Sequence, residues 1–218
     1  MVDLESGDGT FVWIARTKFI GNTGSTLVYR SNASGPNRYR SALQLTSNLF
    51  AVNTLSGALI LSQSSSPWFL NNTVVANALG GAVVDVSGFS SSPESDLAIK
   101  RNIIIQPASN AVNTNGQSPP VDSITTNLTT DDGLTLIDPS NFNADPQFAP
   151  GYRLQRTSPA VDRTILGATT PLDLAGYPRP VDRPDVPNTG GTADLGAYEL
   201  QIDATDAVFR SGFEPQSQ

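Results

Sequence analysis

Apolar residues over the first 137 positions keep a fixed register around five small polar ones. These are Thr17, Asn48, Asn72, Asn102 and Asn127, separated by 31, 24, 30 and 25 residues. Three residues before each stand Ile14, Leu45, Phe69, Ile99 and Ile124, and two after each stand Phe19, Phe50, Val74, Ile104 and Thr129. Ten after come Leu27, Ala58, Ala82, Val112 and Ile137. Five before come Val12, Leu43, Pro67 and Leu97, with Asp122 breaking the column; five after come Asn22, Asn53, Asn77, Pro107 and Asp132. Columns that survive unequal separations are the mark of a solenoid. A unit near 24 residues is too short for a propeller blade and lacks a leucine-rich signature. It predicts a right-handed parallel β-helix of about five coils, each with three short strands and three turns, rising about 4.8 Å per coil. The Asn column is expected at a bend, because Asn tolerates left-handed backbone and its amide can bond the next Asn in the stack.

The long repeats carry their extra residues between the third strand and the next coil, at Ser31–Arg40 and Ser87–Asp96. Insertions on one edge of a solenoid mark either a working face or a tolerated loop. Ile20, Ala51, Val75 and Ile105 form a second apolar column on the strand that follows the Asn. Both faces of that strand are then expected to be covered, by the C-terminal segment or by a partner.

Composition narrows the chemistry. Of 218 residues 38% are apolar and 15% charged, so uncharged polar residues carry structure, consistent with an all-β chain of short strands. There is no cysteine and no histidine, which removes disulfides, thiolate and His-ligated metals, and Ser-His-Asp catalysis. A net charge of −7 argues against nucleic-acid binding. No apolar run is long enough for a membrane span. Met1-Val2-Asp3-Leu4-Glu5 has neither the basic nor the apolar region of a signal peptide. The chain is therefore expected to continue upstream coils of a longer exported protein.

After Ile137 the rhythm ends, and a Pro/Gly-rich stretch over 138–200 precedes a tail at 201–218. The stretch contains Asp145-Pro146-Gln147-Phe148, Tyr152-Arg153-Leu154, Ser158-Pro159-Ala160-Val161-Asp162, Asp173-Leu174-Ala175-Gly176-Tyr177-Pro178-Arg179 and Asp194-Leu195-Gly196-Ala197-Tyr198-Glu199. Together these motifs resemble the C-terminal segment of the bacterial choice-of-anchor Q family of β-helix surface proteins, over about residues 140–200. The resemblance implies a secreted or cell-surface location and names no reaction. The tail's Phe209-Arg210-Ser211-Gly212-Phe213-Glu214 is similar to a short FR-x-GFE ending of some exported proteobacterial proteins.

An exposed last coil leaves unpaired backbone and an open apolar core. Phe148, Tyr152, Leu154, Leu174, Tyr177, Leu195 and Tyr198 are expected to cover that end. Asp162, Asp173, Arg179, Asp194 and Glu199 read as the ion-pair cluster fixing the cap, with Arg179 paired to Asp194 or Glu199; a calcium site among these carboxylates is the alternative.

Four residues before the Asn column stand Trp13, Gln44, Trp68, Ala98 and Ser123, which alternation turns outward. The two tryptophans then lie two coils apart, about 10 Å, the reach of two sugar units. With Gln44 between them, Lys100 and Arg101 beside them, and Arg38, Tyr39 and Arg40 arriving on the preceding loop, they form a candidate carbohydrate-binding face. The competing readings bury the tryptophans under loops or invert that strand. Catalysis has less support: Asp85, Glu94, Asp96, Asp131 and Asp132 give no two stacked outward carboxylates of the kind a glycosidase pair needs, and Asp131-Asp132 reads as a helix-end turn. The expectation is a non-catalytic extracellular module binding polysaccharide or another surface. A β-helix polysaccharide lyase or glycosidase and a purely structural stalk are the alternatives.

Overall fold

The computed structural model describes residues 2–4, 11–30, 43–63, 67–86, 97–106, 110–165 and 171–202. Strand β1 (Val2–Leu4) leads into a first coil of β2 (Val12–Ala15), β3 (Lys18–Ile20), β4 (Thr23–Gly24) and β5 (Val28–Arg30). The second coil has β6 (Leu43–Thr46), β7 (Leu49–Ala51), β8 (Thr54–Leu55) and β9 (Ile60–Ser62). The third has β10 (Trp68–Leu70), β11 (Thr73–Val75), β12 (Ala78–Leu79) and β13 (Val84–Asp85). Then come β14 (Ala98–Lys100), β15 (Ile103–Ile105) and β16 (Val112–Asn113), and a last coil of β17 (Ile124–Thr125), β18 (Leu128–Thr129) and helix α1 (Asp132–Ile137).

Equivalent strands of successive coils pair in parallel. Sheet I is β2, β6, β10, β14 and β17; sheet II is β3, β7, β11, β15 and β18; sheet III is β4, β8 and β12; sheet IV is β1, β5, β9, β13 and β16. The chain is a parallel β-helix. Sheet III adds a fourth short strand to the three expected per coil.

Two inward columns fall where the pattern puts them. Ile14, Leu45, Phe69, Ile99 and Ile124 are in register along sheet I, and Phe19, Phe50, Val74, Ile104 and Thr129 along sheet II. Phe19, Phe50 and Phe69 stack in series, with centroids 5.0 and 5.8 Å apart. The third column slips. The ladder of sheet IV is Val28, Ile60, Val84 and Val112, so Leu27 lies one residue before it and Ala58 and Ala82 lie two before. The turn entering sheet IV differs in length from coil to coil. Ile137 stays half-exposed at the end of α1, and Leu134 enters the core instead.

The Asn stack is real, but the bend is displaced by one residue. Left-handed backbone occurs at Arg16, Ser47, Asn71, Arg101 and Thr126, each just before the column, with φ between 50° and 60°. The Asn itself serves the coils through its side chain. Asn48, Asn72, Asn102 and Asn127 are fully buried. Each Oδ1 accepts the backbone N–H and, except Asn48 toward Thr17, the Nδ2 of the preceding member. Each Nδ2 donates back to the carbonyl of Ile14, Leu45, Phe69 or Ile99 in the preceding coil. Asn141 continues the stack, accepting from Asn127. A second stack, Asn22, Asn53 and Asn77, lies after sheet II, behind left-handed Gly21, Val52 and Ala76. Beside this stack Gln106 Nε2 donates to Asn77 O; Pro107 lies outside the described residues, and Asp132 opens α1.

Most of the C-terminal segment is not an end cap. Leu134 of α1 joins the inner core at its end, and only the start of the segment continues the last coil, through Asn141 in the amide stack and the parallel bridge of Phe142 to Leu128. The rest runs along the outer face of sheet II. Leu174, Ala197, Tyr198, Phe148 and Tyr152 pack on Leu49, Ala51, Val75 and Ile105. Leu154, Ala160, Val161 and Leu195 pack on Ile103 and Leu128. Tyr177 remains half-exposed. The physical reason is the second apolar column: sheet II is apolar on both sides, so its outer side too has surface to bury. A hairpin of β19 (Phe148–Ala149) and β20 (Arg153–Leu154) stiffens the segment. Gly196 touches the sheet directly: it has φ 83°, and a Cβ there would lie 2.7 Å from Ile103 Cδ1 and from Thr73 Oγ1.

Candidate ligand-binding surface

The outer face of sheet I carries the column Trp13, Gln44, Trp68 and Ala98, paired residue to residue. Trp13 is 58% exposed and Trp68 half-buried. Gln44 is buried between them, and its Nε2 donates to Thr46 Oγ1 at 3.0 Å, so its amide is not presented to a ligand. Ser123 is also buried, its hydroxyl donating to Pro120 O. Arg38, Tyr39 and Arg40 lie outside the described residues, as do Glu94 and Asp96.

Two depressions lie where sheet I and its following turn meet the C-terminal segment. The first, about 80 Å³, is bounded by Trp13, Ala15, Arg16, Thr46 and Ser47 from the coils and by Pro171 and Leu172 from the segment. The second, about 480 Å³, repeats the same columns three coils further on. It is lined by Lys100, Arg101, Thr125 and Thr126 from the coils, with Ser140, Arg163, Thr164, Ile165, Thr189 and Gly190 opposite. Between them Leu70 and Asn71 are buried, and Gly196 N–H donates to Arg101 O. The tryptophan end and the basic end are therefore separate places on one face.

No acidic residue among those described lines the basic depression. Among the described residues, the ion pairs are Arg156–Asp185, Arg179–Glu199 and Arg183–Asp185, and none involves Lys100, Arg101 or Arg163. Arg101 Nε donates to Asn71 Oδ1 at 3.1 Å. Burial, and then the charge of Arg179, lower the pKa of Arg101. Arg163 lies over the Phe142 ring at 4.2 Å. Nothing in the periodic pattern marks Arg163, because its position depends on how the 158–165 stretch packs on the last coil.

The expected cluster of charges lies in the C-terminal segment, with Asp162, Asp173, Arg179, Asp194 and Glu199 all buried. Arg179 Nε pairs with Glu199 Oε2 at 2.7 Å, and its Nη2 donates to Gly196 O. The carboxylates mostly accept backbone N–H groups. Asp173 accepts from Ala175, Tyr177 and Glu199, Asp194 from Asp162 and Leu200, and Glu199 from Val181 and Asp194. This explains the recurrent acids in the segment's motifs: each folds a turn that has no sheet partner for its amides. Burial pushes the Asp162 carboxyl up to about 6. Burial, with the Glu199 carboxylate beside it, also raises Asp194. Among the described residues no three acidic groups converge as metal ligands.

A polar depression of about 610 Å³ lies at the other side of the coils and is bordered by Asp85, Asp131 and Asp132. Asp131 is the N-cap of α1, with Oδ1 accepting Gly133 N–H and Oδ2 accepting Ala111 N–H. Asp85 Oδ2 accepts from Asn113 Nδ2. Comparison of the chain with protein-family models, curated proteins and solved structures gives no match.

Proposed function

We propose that this chain is a secreted or cell-surface β-helix module that binds carbohydrate without catalysis. The observation that carries the reading is Trp13: an indole 58% exposed on a rigid sheet, beside a depression walled by Pro171 and Leu172. An exposed indole held by its own strand offers a flat apolar face to a pyranose ring at little entropic cost. Trp68, two coils along the same column, supplies a second aromatic surface about 10 Å away. The resemblance of residues 140–200 to choice-of-anchor Q proteins supports the extracellular location. The N-terminal edges of β2 and β3 have no partner strand among the described residues, which suits continuation by upstream coils of a longer protein. No helix among the described residues is long and apolar enough to cross a membrane.

The alternative of a lyase or glycosidase draws less support from the site, because one Asp131 oxygen caps α1 through Gly133 N–H and the other accepts Ala111 N–H. A glycan array probed with the intact chain and with Trp13→Ala tests the proposal. Binding to at least one glycan class that falls about tenfold or more in the variant, the value of a stacked aromatic contact, is the expected result. Equal binding by both proteins would show that Trp13 is not a contact, and no binding by either would leave the stalk.

A further inference from the structure

We propose that the depression lined by Lys100, Arg101 and Arg163 binds the anionic group of an acidic polysaccharide, so that the carbohydrate ligand is a sulfated, phosphorylated or uronic polymer and not a neutral one. This inference rests on the carbohydrate reading of the same face.

The chain is acidic overall, with 13 cationic and 20 acidic residues, yet among the described residues this concavity gathers three cations and several hydroxyls with no acid in its lining. Among the described residues Lys100 and Arg163 make no ion pair, and Arg101 Nε donates to the amide oxygen of Asn71. Their positions are fixed by structure. Lys100 is held in the ladder by Leu70 and Thr125, Arg101 by its left-handed turn (φ 60°) and by Gly196 on its carbonyl, and Arg163 by the Phe142 ring beneath it. Three like charges gathered without counter-charge repel one another, and a bound oxyanion removes that repulsion. Thr125 and Thr126 border the same space, and their hydroxyls suit the oxygens of a sulfate, phosphate or carboxylate, whereas Ser140 Oγ is engaged, donating to Asp138 Oδ1 and accepting Thr126 N–H. Sheet geometry relates this place to the tryptophans. Lys100 lies one coil and two residues from Trp68, about 8 Å, and three coils and two residues from Trp13, about 16 Å. A chain of a few sugars lying obliquely across sheet I would stack on the indoles and place an anionic substituent among the cations.

The test compares retention of the intact chain by heparin (sulfate), polygalacturonate (carboxylate) and a neutral xyloglucan, alongside inorganic sulfate and phosphate as free competitors. The variants are Lys100→Gln, the double variant Lys100→Gln/Arg163→Gln, and Trp13→Ala. Affinity for at least one acidic polymer should exceed that for xyloglucan and weaken with salt. It should fall about tenfold in the double variant and several-fold in Lys100→Gln alone. Undiminished acidic-polymer binding by a folded double variant overturns the inference, and so does binding of free sulfate or phosphate with no acidic polymer retained. Neutral glycan bound through Trp13 without preference for acidic ones overturns it too, while leaving the proposed function standing. Acidic polymer lost in the lysine and arginine variants but indifferent to Trp13→Ala supports this site and removes the role given to Trp13.

Discussion

Truncating Asn102 to alanine removes one rung from the middle of the longer amide stack. The Asn102 side chain makes four hydrogen bonds: from Asn72 N at 2.8 Å and Asn72 Nδ2 at 3.2 Å to its Oδ1, and from its Nδ2 to Phe69 O at 2.8 Å and Asn127 Oδ1 at 2.9 Å. The site is closed to solvent, so water cannot replace these partners without opening the coil. At a net worth of about 1 kcal/mol per bond the loss is about 4 kcal/mol, before the added penalty of leaving the Asn72 N–H buried and unpaired. Asn22→Ala is the internal control. It removes a single side-chain bond, Nδ2 to Asn53 Oδ1, from an exposed residue at the end of the shorter stack, and should cost under about 1 kcal/mol. Urea unfolding followed by far-UV circular dichroism measures both. If Asn102→Ala unfolds at the same midpoint as Asn22→Ala, the ladder is not what holds successive coils in register, and the reasoning fails.

Arg179→Ala leaves Glu199 buried without its cation and should destabilise by about 3–5 kcal/mol, read as a fall in Tm; a change within about 0.5 kcal/mol, the surface value, would contradict the pairing. Gly196→Ala places a methyl against Ile103 and Thr73 in a left-handed backbone; the segment should detach from sheet II, seen as faster proteolysis after residue 140 with the coils still folded. Val52→Gly relieves a β-branched residue at φ 57° that is half exposed; it should raise stability by about 1 kcal/mol by chemical denaturation. Asp162, at about 6, and Asp194 bind protons more tightly in the native state than in the unfolded one. Their contribution is therefore fully present below the unfolded value near 4, as a rough reference, and is lost as pH rises through 6 and beyond. Tm should be higher at about pH 5 than at about pH 8, and Asp194→Asn should flatten the dependence; a Tm that rises over that interval would refute the assignment.

The coils were readable because an inward position on a strand is set by alternation and repeats at each turn of the solenoid, which places Leu45, Phe69 and Ile99 on one ladder whatever the loops do. Sheet IV was misread by one or two residues because the turn before it varies in length, and a column counted from a distant Asn absorbs that variation as error. The bend was assigned to the Asn because the amide ladder and the left-handed residue are neighbours; only the backbone separates Asn71 from Asn72. Asn141 was passed over because it follows Asn127 by 14 residues, well short of a full coil, with α1 replacing the rest of the turn. The second apolar column does report that the outer side of sheet II is covered at Ala51, Val75 and Ile105, while Ile20 in the first coil stays 51% exposed. The destination of Tyr198 and Leu174 followed from that column better than from the need to close an end. On the candidate face, Trp13 was legible as outward, while Gln44 was lost to Thr46 and Arg163 emerged only from packing between distant segments.

The central functional claim is that the outer face of sheet I binds carbohydrate through its aromatic column. Affinity electrophoresis of the intact chain in polysaccharide-loaded gels, set against Trp13→Ala/Trp68→Ala with matched circular dichroism spectra, tests it most directly. Retardation of the wild-type chain that disappears in the double variant is the predicted result; equal mobility of the two proteins in every polysaccharide would contradict it.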